Sequence, residues 1–279
     1  LKDFLYEKDD ILWQKEVLDA VKNINNNLDK SNILLVGHQK DATSYYLKDF
    51  MEKYNWKYLA CDHFEGINST CIREKYFLGT LFDKNCRQAA QCYKETLAWL
   101  KNYMQTKNYQ ALDFEYKEAA KYRKLWDNSP FAPIFVTCDA FVVCHDKVLL
   151  IKRKFSPGKG YWALPGGFLE ENELIIDGII RELYEETNLD YSRTKLLEQL
   201  VCQKVFDEPN RSSRGRIITH TGFFVIKDKD ITNLPNISGS DDAQEAKWIK
   251  LDNFLDMSEH IFSDHYHIIN YFLNQFSKK

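Results

Sequence analysis

Two kinds of hydrophobic pattern divide the chain. In the first half, a short continuous apolar run at residues 31–37 ends in a glycine, which is typical of a buried parallel strand, and residues 56–61 form a second run of this kind. Apolar residues recur with helical spacing over residues 12–28, and residues 43–54 between the two runs also favour a helix. Strand, helix and strand in this order predict an α/β unit.

The pattern changes after residue 86. Residues 87–126 predict long helices, which the closely spaced Pro130 and Pro133 bring to an end. We therefore place a domain boundary between residues 128 and 129, which gives domains 1–128 and 129–279. In the second domain, β-rich runs predict strands over residues 134–144, 147–154, 201–206, 217–226 and 246–251. Helical spacing predicts two helices, over residues 173–187 and 258–276.

Composition and charge exclude several classes of protein. The chain of 279 residues is 44% hydrophobic and 28% charged, which excludes a disordered or collagen-like protein. Its net charge of −3 gives no overall field that would attract nucleic acid or an anionic membrane, and no apolar run approaches the roughly 20 residues of a membrane helix. Seven cysteines without a C-x-x-C pair and without a signal-peptide pattern indicate reduced thiols. We expect a soluble, cytoplasmic protein with no nucleic-acid or membrane partner.

The strongest motif in the chain spans residues 167–189. Its spacing is G-x5-E-x7-R-E-L-x-E-E-x-N-L. This resembles the Nudix box, G-x5-E-x7-R-E-U-x-E-E-x-G-U with U a bulky apolar residue, at eight of the nine specified positions. The exception is Asn188, and asparagine is the non-glycine residue that best tolerates the left-handed conformation of a helix C-cap. The resemblance implies an α/β fold of the Nudix type, an α-β-α sandwich with a mixed sheet.

Three glutamates of this motif point to a metal site independently of the resemblance. On a helix, Glu182, Glu185 and Glu186 stand at positions i, i+3 and i+4 and converge on one face. Carboxylates this close repel one another, and a divalent cation relieves the repulsion. Hard oxygen ligands of this kind suit Mg²⁺ or Mn²⁺. A glutamate-rich helix face that is merely solvated is the alternative.

The residues around the helix complete the candidate metal site. The backbone carbonyl of Gly167, in the Pro-Gly-Gly run of residues 165–167, is a further candidate ligand because no side chain obstructs its approach. Arg181 can pair with Glu173 or Glu185 and hold the cluster in place. A Gly-Gly run and Glu173 in register with the helix favour the metal-site interpretation over the solvated face.

The resemblance also implies a reaction. Nudix hydrolases cleave a nucleoside diphosphate linked to another group by metal-assisted attack of water on phosphorus. The catalytic candidates are Glu182 and Arg181 of the box, and Glu245 in a downstream loop that also carries Asp241 and Asp242. Either Glu182 or a residue of that loop is the candidate general base.

Arginines are the candidates for substrate binding. Arg211, Arg214 and Arg216 form a cluster that suits a diphosphate or a terminal ribose, unless they belong to a solvated loop, and Arg153 completes the set. Residues 160–168, 205–225 and 240–249 resemble Nudix domains that act on ADP-ribose, which occur as enzymes and as ligand-sensing repressors. The resemblance thus implies hydrolysis of ADP-ribose to AMP and ribose 5-phosphate. A non-catalytic ADP-ribose sensor, or a hydrolase of another nucleoside diphosphate derivative, is the alternative.

The first half carries weaker signals for a second nucleotide site. Ser69 and Thr70 fall at the start of a predicted helix, with Arg73 in its first turn, an arrangement that binds phosphate. This resembles the I-S-x-T-x-x-R element of archaeal-type nicotinamide mononucleotide adenylyltransferases, in which a tryptophan contacting nicotinamide corresponds to Trp13. The whole chain therefore resembles the bifunctional adenylyltransferase/Nudix family. This implies an incomplete Rossmann-like nucleotidyltransferase domain, with nicotinamide mononucleotide as a further ligand, and we expect a homo-oligomer.

One departure from that family affects the first half. The family begins with a strand and a G-x-F-x-P-x-H-x-G-H motif that binds the ATP phosphates, and the sequence contains no such stretch. This indicates either an N-terminal truncation or a lost reaction, and we expect no NAD formation by these 279 residues. We interpret the isolated histidines as structural, namely His38, His63, His220, His260, His265 and His267.

Overall fold

The computed structural model describes residues 11–24, 33–39, 44–62, 69–227 and 233–276. Contacts divide these residues into two compact units, the first ending at Tyr109 and the second beginning at Gln110. Residues 110–128 thus group with the second unit, and the boundary at residues 128 and 129 stays a prediction. No helix in the described ranges is both long and apolar enough to cross a membrane.

The first unit contains the predicted strand–helix–strand arrangement. Its first elements are α1 (Ile11–Ile24), β1 (Leu34–Gly37), α2 (Tyr45–Tyr54) and β2 (Lys57–Ala60). β1 and β2 pair in parallel, so the α/β unit is confirmed. The expected burial is wrong, because Leu34, Val36 and Leu59 are exposed. In a described sheet of two strands each strand is an edge strand, and an apolar run there is not enclosed on both faces as in a larger sheet.

α3 (Ser69–Phe77) follows β2, and its start agrees with the helix predicted near Thr70. The helical region predicted over residues 87–126 is confirmed, but as three helices, α4 (Arg87–Ala90), α5 (Lys94–Tyr103) and α6 (Lys107–Lys124). Tyr76, Leu81 and Tyr109 form a small buried cluster in the first unit. α6 continues into the second unit, where the ring of Tyr122 contacts Arg214.

The described residues of the second unit form a sheet of seven strands, which is mixed as expected and contains the five predicted strands and two short ones besides. The strands are β3 (Ile134–Cys144), β4 (Lys147–Arg153), β5 (Trp162–Ala163), β6 (Gly166–Phe168), β7 (Leu200–Phe206), β8 (Arg216–Ile226) and β9 (Ala243–Lys250). β3 lies at the centre, parallel to β8 and antiparallel to β4 and β6. β4 also pairs with β5 and β9, and β7 pairs with β8.

Two helices cover the two faces of this sheet, α7 (Ile175–Thr187) and α10 (His265–Phe276). Successive side chains of the buried strand β3 point to opposite faces. Phe141 packs on Phe272 of α10, with ring centroids 5.7 Å apart, whereas Val142 lies in a separate core with Ile179 of α7. The predicted α-β-α sandwich is therefore confirmed.

The end of the chain differs from its prediction. A helix over residues 258–276 is wrong in its first part, because a 3₁₀ turn at Ser258–His260 and an extended Ile261 precede α10. Ile261 forms a bridge with Trp162, and Ser263 adopts a positive φ of 52°. The short elements β5, β6, α8 (Arg193–Glu198) and α9 (Leu251–Leu255) were not predicted. They are too short to show a hydrophobic period.

Asn188 ends α7 in the left-handed conformation that the motif predicts. Its φ and ψ are 43° and 41°, and its backbone N–H donates to the Tyr184 carbonyl at 2.9 Å. The side-chain amide donates to Ser238 Oγ at 3.1 Å. The one departure from the box is thus a residue that forms the cap that glycine usually forms.

We expect Asn188→Ala to lower the free energy of unfolding by about 1–2 kcal/mol, because alanine is strained in the left-handed region. Asn188→Gly should stay within about 0.5 kcal/mol of the original protein, since glycine adopts this conformation freely. Urea unfolding of the two variants measures the difference. Equal stability of both would contradict a cap that depends on positive φ.

Candidate active site

A cleft of about 480 Å³ brings the glutamates of the box and three of the predicted arginines together. Its walls come from β3, the glycine loop (residues 165–167), α7, the arginine loop (residues 207–215) and the start of α10. Glu182, Glu185 and Glu186 line it, together with Gly167. Arg153, Arg211 and Arg214 line it as well.

Two predicted site residues of the second unit do not line this cleft. Arg216 donates from Nη1 to the Asp207 carbonyl at 2.6 Å. Glu245 is exposed and lies inside β9, opposite Lys152 of β4, so its predicted place in a loop is wrong. Asp241 and Asp242, from the same stretch, do line the cleft. The proposed roles of Arg216 and Glu245 stay predictions.

The candidates of the first unit form no part of this cleft. Ser69 and Thr70 are exposed in the first turn of α3, where Arg73 Nη2 donates to Thr70 Oγ1 at 3.5 Å. Trp13 packs against the rings of Tyr46 and Phe50, at 5.8 and 5.7 Å between centroids. Their nucleotide-binding roles stay predictions, and residues 40–43 and 63–68 of the motifs that suggested them lie outside the described residues.

Arg181 connects the parts of the motif through several hydrogen bonds. Its guanidinium donates to both carboxylate oxygens of Glu173, at 3.0 and 2.7 Å, and to the Phe168 carbonyl at 3.1 Å. Nη1 donates to Glu182 at 2.8 Å and to Glu185 at 2.9 Å. This cation lowers the pKa of Glu173 below its usual value. The contacts describe an arginine that positions the carboxylates, and a catalytic role stays a prediction.

The glycine loop lies directly against α7. A Cβ at Gly167 would stand 2.6 Å from Glu182 Oε1, so any larger residue here would displace the Glu182 carboxylate from its present position. The backbone N–H of Gly166 donates to Glu186 Oε2 at 2.8 Å. The backbone of the glycine loop is therefore held against the carboxylates of Glu182 and Glu186.

Burial makes these carboxylates electrostatically costly. It raises the pKa of Glu186 to about 8 and also raises the pKa of Glu182 above its usual value. A divalent cation would relieve this cost, and the oxygen donors present, including the Gly167 carbonyl, fit a hard cation such as Mg²⁺ or Mn²⁺. In the described parts of the chain no three His, Cys, Asp or Glu side chains already form a metal-sized group. Arg181 bonds both Glu182 and Glu185, so these contacts must change for the two carboxylates to share an ion.

Arg211 is anchored by a carboxylate far away in the sequence. Its Nε and Nη2 donate to the two oxygens of Asp264 at 2.8 and 2.9 Å. Both side chains are almost fully buried, with 6% and 1% exposed. A paired, planar geometry of this kind fixes the guanidinium in one orientation at the cleft wall.

Arg153 and Arg214 are held by aromatic rings instead. Arg153 lies 4.3 Å from the ring centroid of Phe262, and Arg214 lies 5.7 and 5.2 Å from those of Tyr122 and Phe168. Burial lowers the pKa of both guanidinium groups. Arg214 Nε is buried without a hydrogen-bond partner among the described residues, which points to an acceptor supplied by a ligand. Both cations are suited to an anionic group in the cleft.

Sequence reasoning missed two residues of the cleft as candidates, Asp139 and His265. Asp139 is buried in β3 and accepts a hydrogen bond from Thr219 Oγ1. A single carboxylate inside the apolar run of residues 134–144 was a signal for it. His265 accepts the backbone N–H of Leu164 at Nδ1, 3.0 Å away. The sequence offered no comparable signal for His265, because the histidine fell within a predicted helix.

The fold and the cleft define a protein with a Nudix domain, since residues 135–272 match the model of the NUDIX domain family. The similarity extends further in solved structures. A bifunctional NMN adenylyltransferase/ADP ribose pyrophosphatase from Francisella tularensis, complexed with AMP and a manganese ion, is 38% identical, with a TM-score of 0.83, and covers 99% of this chain. The match covers 77% of that protein's chain. The chain belongs to the family of bifunctional NMN adenylyltransferases/ADP ribose pyrophosphatases.

Curated relatives match about half of the chain. An ADP-ribose pyrophosphatase from Methanocaldococcus jannaschii is 36% identical over 118 residues, which are 42% of this chain and 63% of that protein. An ADPR responsive transcriptional repressor, NtrR, from Acinetobacter baylyi is 28% identical over 156 residues, or 54% of this chain and 56% of that protein. The chain thus spans between about half and two thirds of the length of these relatives.

We expect Asp264→Asn to lower the free energy of unfolding of the second unit by about 3–5 kcal/mol, because it leaves the Arg211 cation buried without its counter-charge. The matched control is Glu118→Gln, which removes the half-buried partner of the exposed Lys121 in α6 and should cost less than about 1 kcal/mol. Urea unfolding followed by tryptophan fluorescence measures both. A cost for Asp264→Asn no larger than that of the control would contradict the anchoring role.

Proposed function

We propose that the second unit is a Nudix hydrolase that cleaves the diphosphate of ADP-ribose to AMP and ribose 5-phosphate, with Mg²⁺ or Mn²⁺. One observation carries the proposal: a single cleft places buried carboxylates of the box together with three arginines. Fixed donors bind a diphosphate, its hydrolysis needs a bound cation as well, and this cleft offers the residues for both.

The arginines orient the substrate in this proposal. Arg214 and Arg153 hold the diphosphate through their guanidinium donors, while Asp264 keeps Arg211 at the cleft wall. Because aromatic rings support Arg153 and Arg214, their positions are set before the substrate enters, which reduces the cost of ordering them.

The box residues act at phosphorus. Glu182, Glu185, Glu186 and the Gly167 carbonyl would hold the divalent cation, which when bound neutralises the diphosphate and lowers the pKa of water. Glu182 accepts the proton of the attacking water, since it lines the cleft and burial raises the pKa of its carboxyl group. Glu245 is the weaker candidate for this base because it does not line the cleft.

The relatives support the choice of ADP-ribose. The Methanocaldococcus jannaschii relative is an ADP-ribose pyrophosphatase, and the Francisella tularensis structure contains AMP, one of the two proposed products, with manganese. The Acinetobacter baylyi repressor is described as responsive to ADPR, so a non-catalytic sensor is the alternative. Binding of ADP-ribose without release of AMP would identify such a sensor.

The experiment that tests the reaction is incubation of the purified chain with ADP-ribose and Mg²⁺ or Mn²⁺, with products resolved by chromatography. We expect AMP and ribose 5-phosphate, and no products when EDTA removes the metal.

Glu186→Gln should reduce turnover by about 100-fold or more, because it removes a charged ligand and keeps the shape of the side chain. Glu171→Gln, at an exposed position outside the cleft, is the matched control and should retain the original rate. Full activity of Glu186→Gln would show that the glutamate face of α7 is merely solvated.

Variants of two neighbouring arginines distinguish a role in substrate binding from a role in the structure of the loop. Arg214→Ala should lower kcat/KM for ADP-ribose by about 10- to 150-fold, equivalent to about 1.5–3 kcal/mol for a lost charge-assisted hydrogen bond. Arg216→Ala should have a smaller effect, because Arg216 does not line the cleft and bonds the Asp207 carbonyl. Steady-state kinetics of both variants decide the point, and equal effects would refute the assignment of Arg214.

A further inference from the structure

The start of α10 joins the two loops that form the cleft. Asp264 binds Arg211 of the arginine loop through two hydrogen bonds. The next residue, His265, accepts the backbone N–H of Leu164, which directly precedes the glycine loop. One short segment therefore connects the loop beside the box glutamates with the loop that carries the arginines.

The contact with Leu164 determines which nitrogen of His265 carries the proton. Nδ1 is an acceptor at 3.0 Å, so in the neutral ring the proton is on Nε2. Burial keeps the ring neutral by lowering its pKa, and the nearby charges of Asp139, Asp264, Arg211 and Arg153 act on it with opposing signs. His265 is thus neutral, and its donor, Nε2–H, lies on the side of the ring opposite to the contact with Leu164.

The Nε2–H donor belongs to a residue that lines the cleft. His265 is only 7% exposed, yet it lines the cleft together with Arg153 and Arg214. No hydrogen bond joins its Nε2 to another of the described residues. A donor on a largely buried ring that lines a polar cleft is available to an acceptor bound there, and phosphate oxygens are the acceptors that suit the neighbouring arginines.

We propose that His265 Nε2–H donates a hydrogen bond to the diphosphate of the nucleotide bound in this cleft. His265 is then a substrate-binding residue, and its Nδ1 contact with Leu164 orients the ring. The identity of the nucleotide rests on the proposed function, whereas the diphosphate contact does not depend on hydrolysis.

The variant His265→Asn distinguishes the hydrogen bond at Nδ1 from the one proposed at Nε2. Asparagine Oδ1 can still accept the Leu164 N–H, but nothing replaces the donor at Nε2. The matched control is His145→Asn in the turn between β3 and β4, where φ is 54° and asparagine is well tolerated. Thermal unfolding of both variants checks that the fold is retained.

Calorimetry in EDTA measures binding of ADP-ribose and of inorganic pyrophosphate without turnover. We expect His265→Asn to weaken the binding of both probes by about tenfold, and His145→Asn to leave it unchanged. Equal affinities for His265→Asn and the original protein would overturn the proposal. Binding of pyrophosphate but not ADP-ribose would refute the proposed substrate and leave the His265 contact measurable, and binding of neither probe would refute both.

A second measurement uses the original protein and does not depend on the stability of a variant at residue 265. The seven histidines are labelled with ¹⁵N, and replacing each of the other six in turn assigns the signal of His265. We expect the Nε2–H tautomer in the free protein and a shift of the Nε2 signal when pyrophosphate is added. An Nδ1–H tautomer, or a signal that pyrophosphate does not move, would overturn the proposal.

Discussion

The arrangement of the cleft depends on the guanidinium of Arg181. It binds Glu173 before α7, Glu182 and Glu185 within α7, and the Phe168 carbonyl of β6. A single planar cation therefore sets the distance between the glycine loop and the box helix. The three carboxylates in turn raise the pKa of Arg181, because each of them favours its charged form. The mutual repulsion of the glutamates is thereby reduced enough for them to stay close together.

The hydrogen bonds of Arg181 have a second consequence, which is that the backbone of the glycine loop lies close to the carboxylates of α7. With α7 held against the glycine loop, Gly167 leaves no room for a Cβ beside Glu182, and the Gly166 N–H reaches Glu186. The carboxylates consequently lie deep in the molecule, where burial raises the pKa of Glu186 to about 8. Their high electrostatic cost is the property that makes the site suited to a divalent cation.

What the sequence predicted well is local. Box spacing, helix periodicity and the left-handed cap at Asn188 all involve residues within a few turns of one another, so the motif alone predicts α7 and its glutamate face. Arg181 was expected to pair with Glu173 or Glu185, and it pairs with both. Except for the short β5 and β6, the strands were likewise predicted from β-rich or continuous apolar runs, with ends displaced by a few residues.

What the sequence could not predict depends on residues that are distant along the chain. Arg211 is 53 residues from Asp264, and Arg214 reaches the ring of Tyr122 on another element, so no local spacing reveals either contact. The same holds for the distinction between Arg214 and Arg216, which are two positions apart but bond different groups.

The difference follows from how the two parts of the site are built. The box glutamates lie on one helix, and their relative positions follow from helical geometry. The arginines lie at the ends of strands, and their positions follow from the packing of α6, the arginine loop and the start of α10 against the sheet. A change in these distant contacts can therefore alter the binding of the substrate while the box stays the same. In the proposed function, Asp264, His265 and the aromatic rings that support the arginines act on the binding of the diphosphate, and the box helix acts on its hydrolysis.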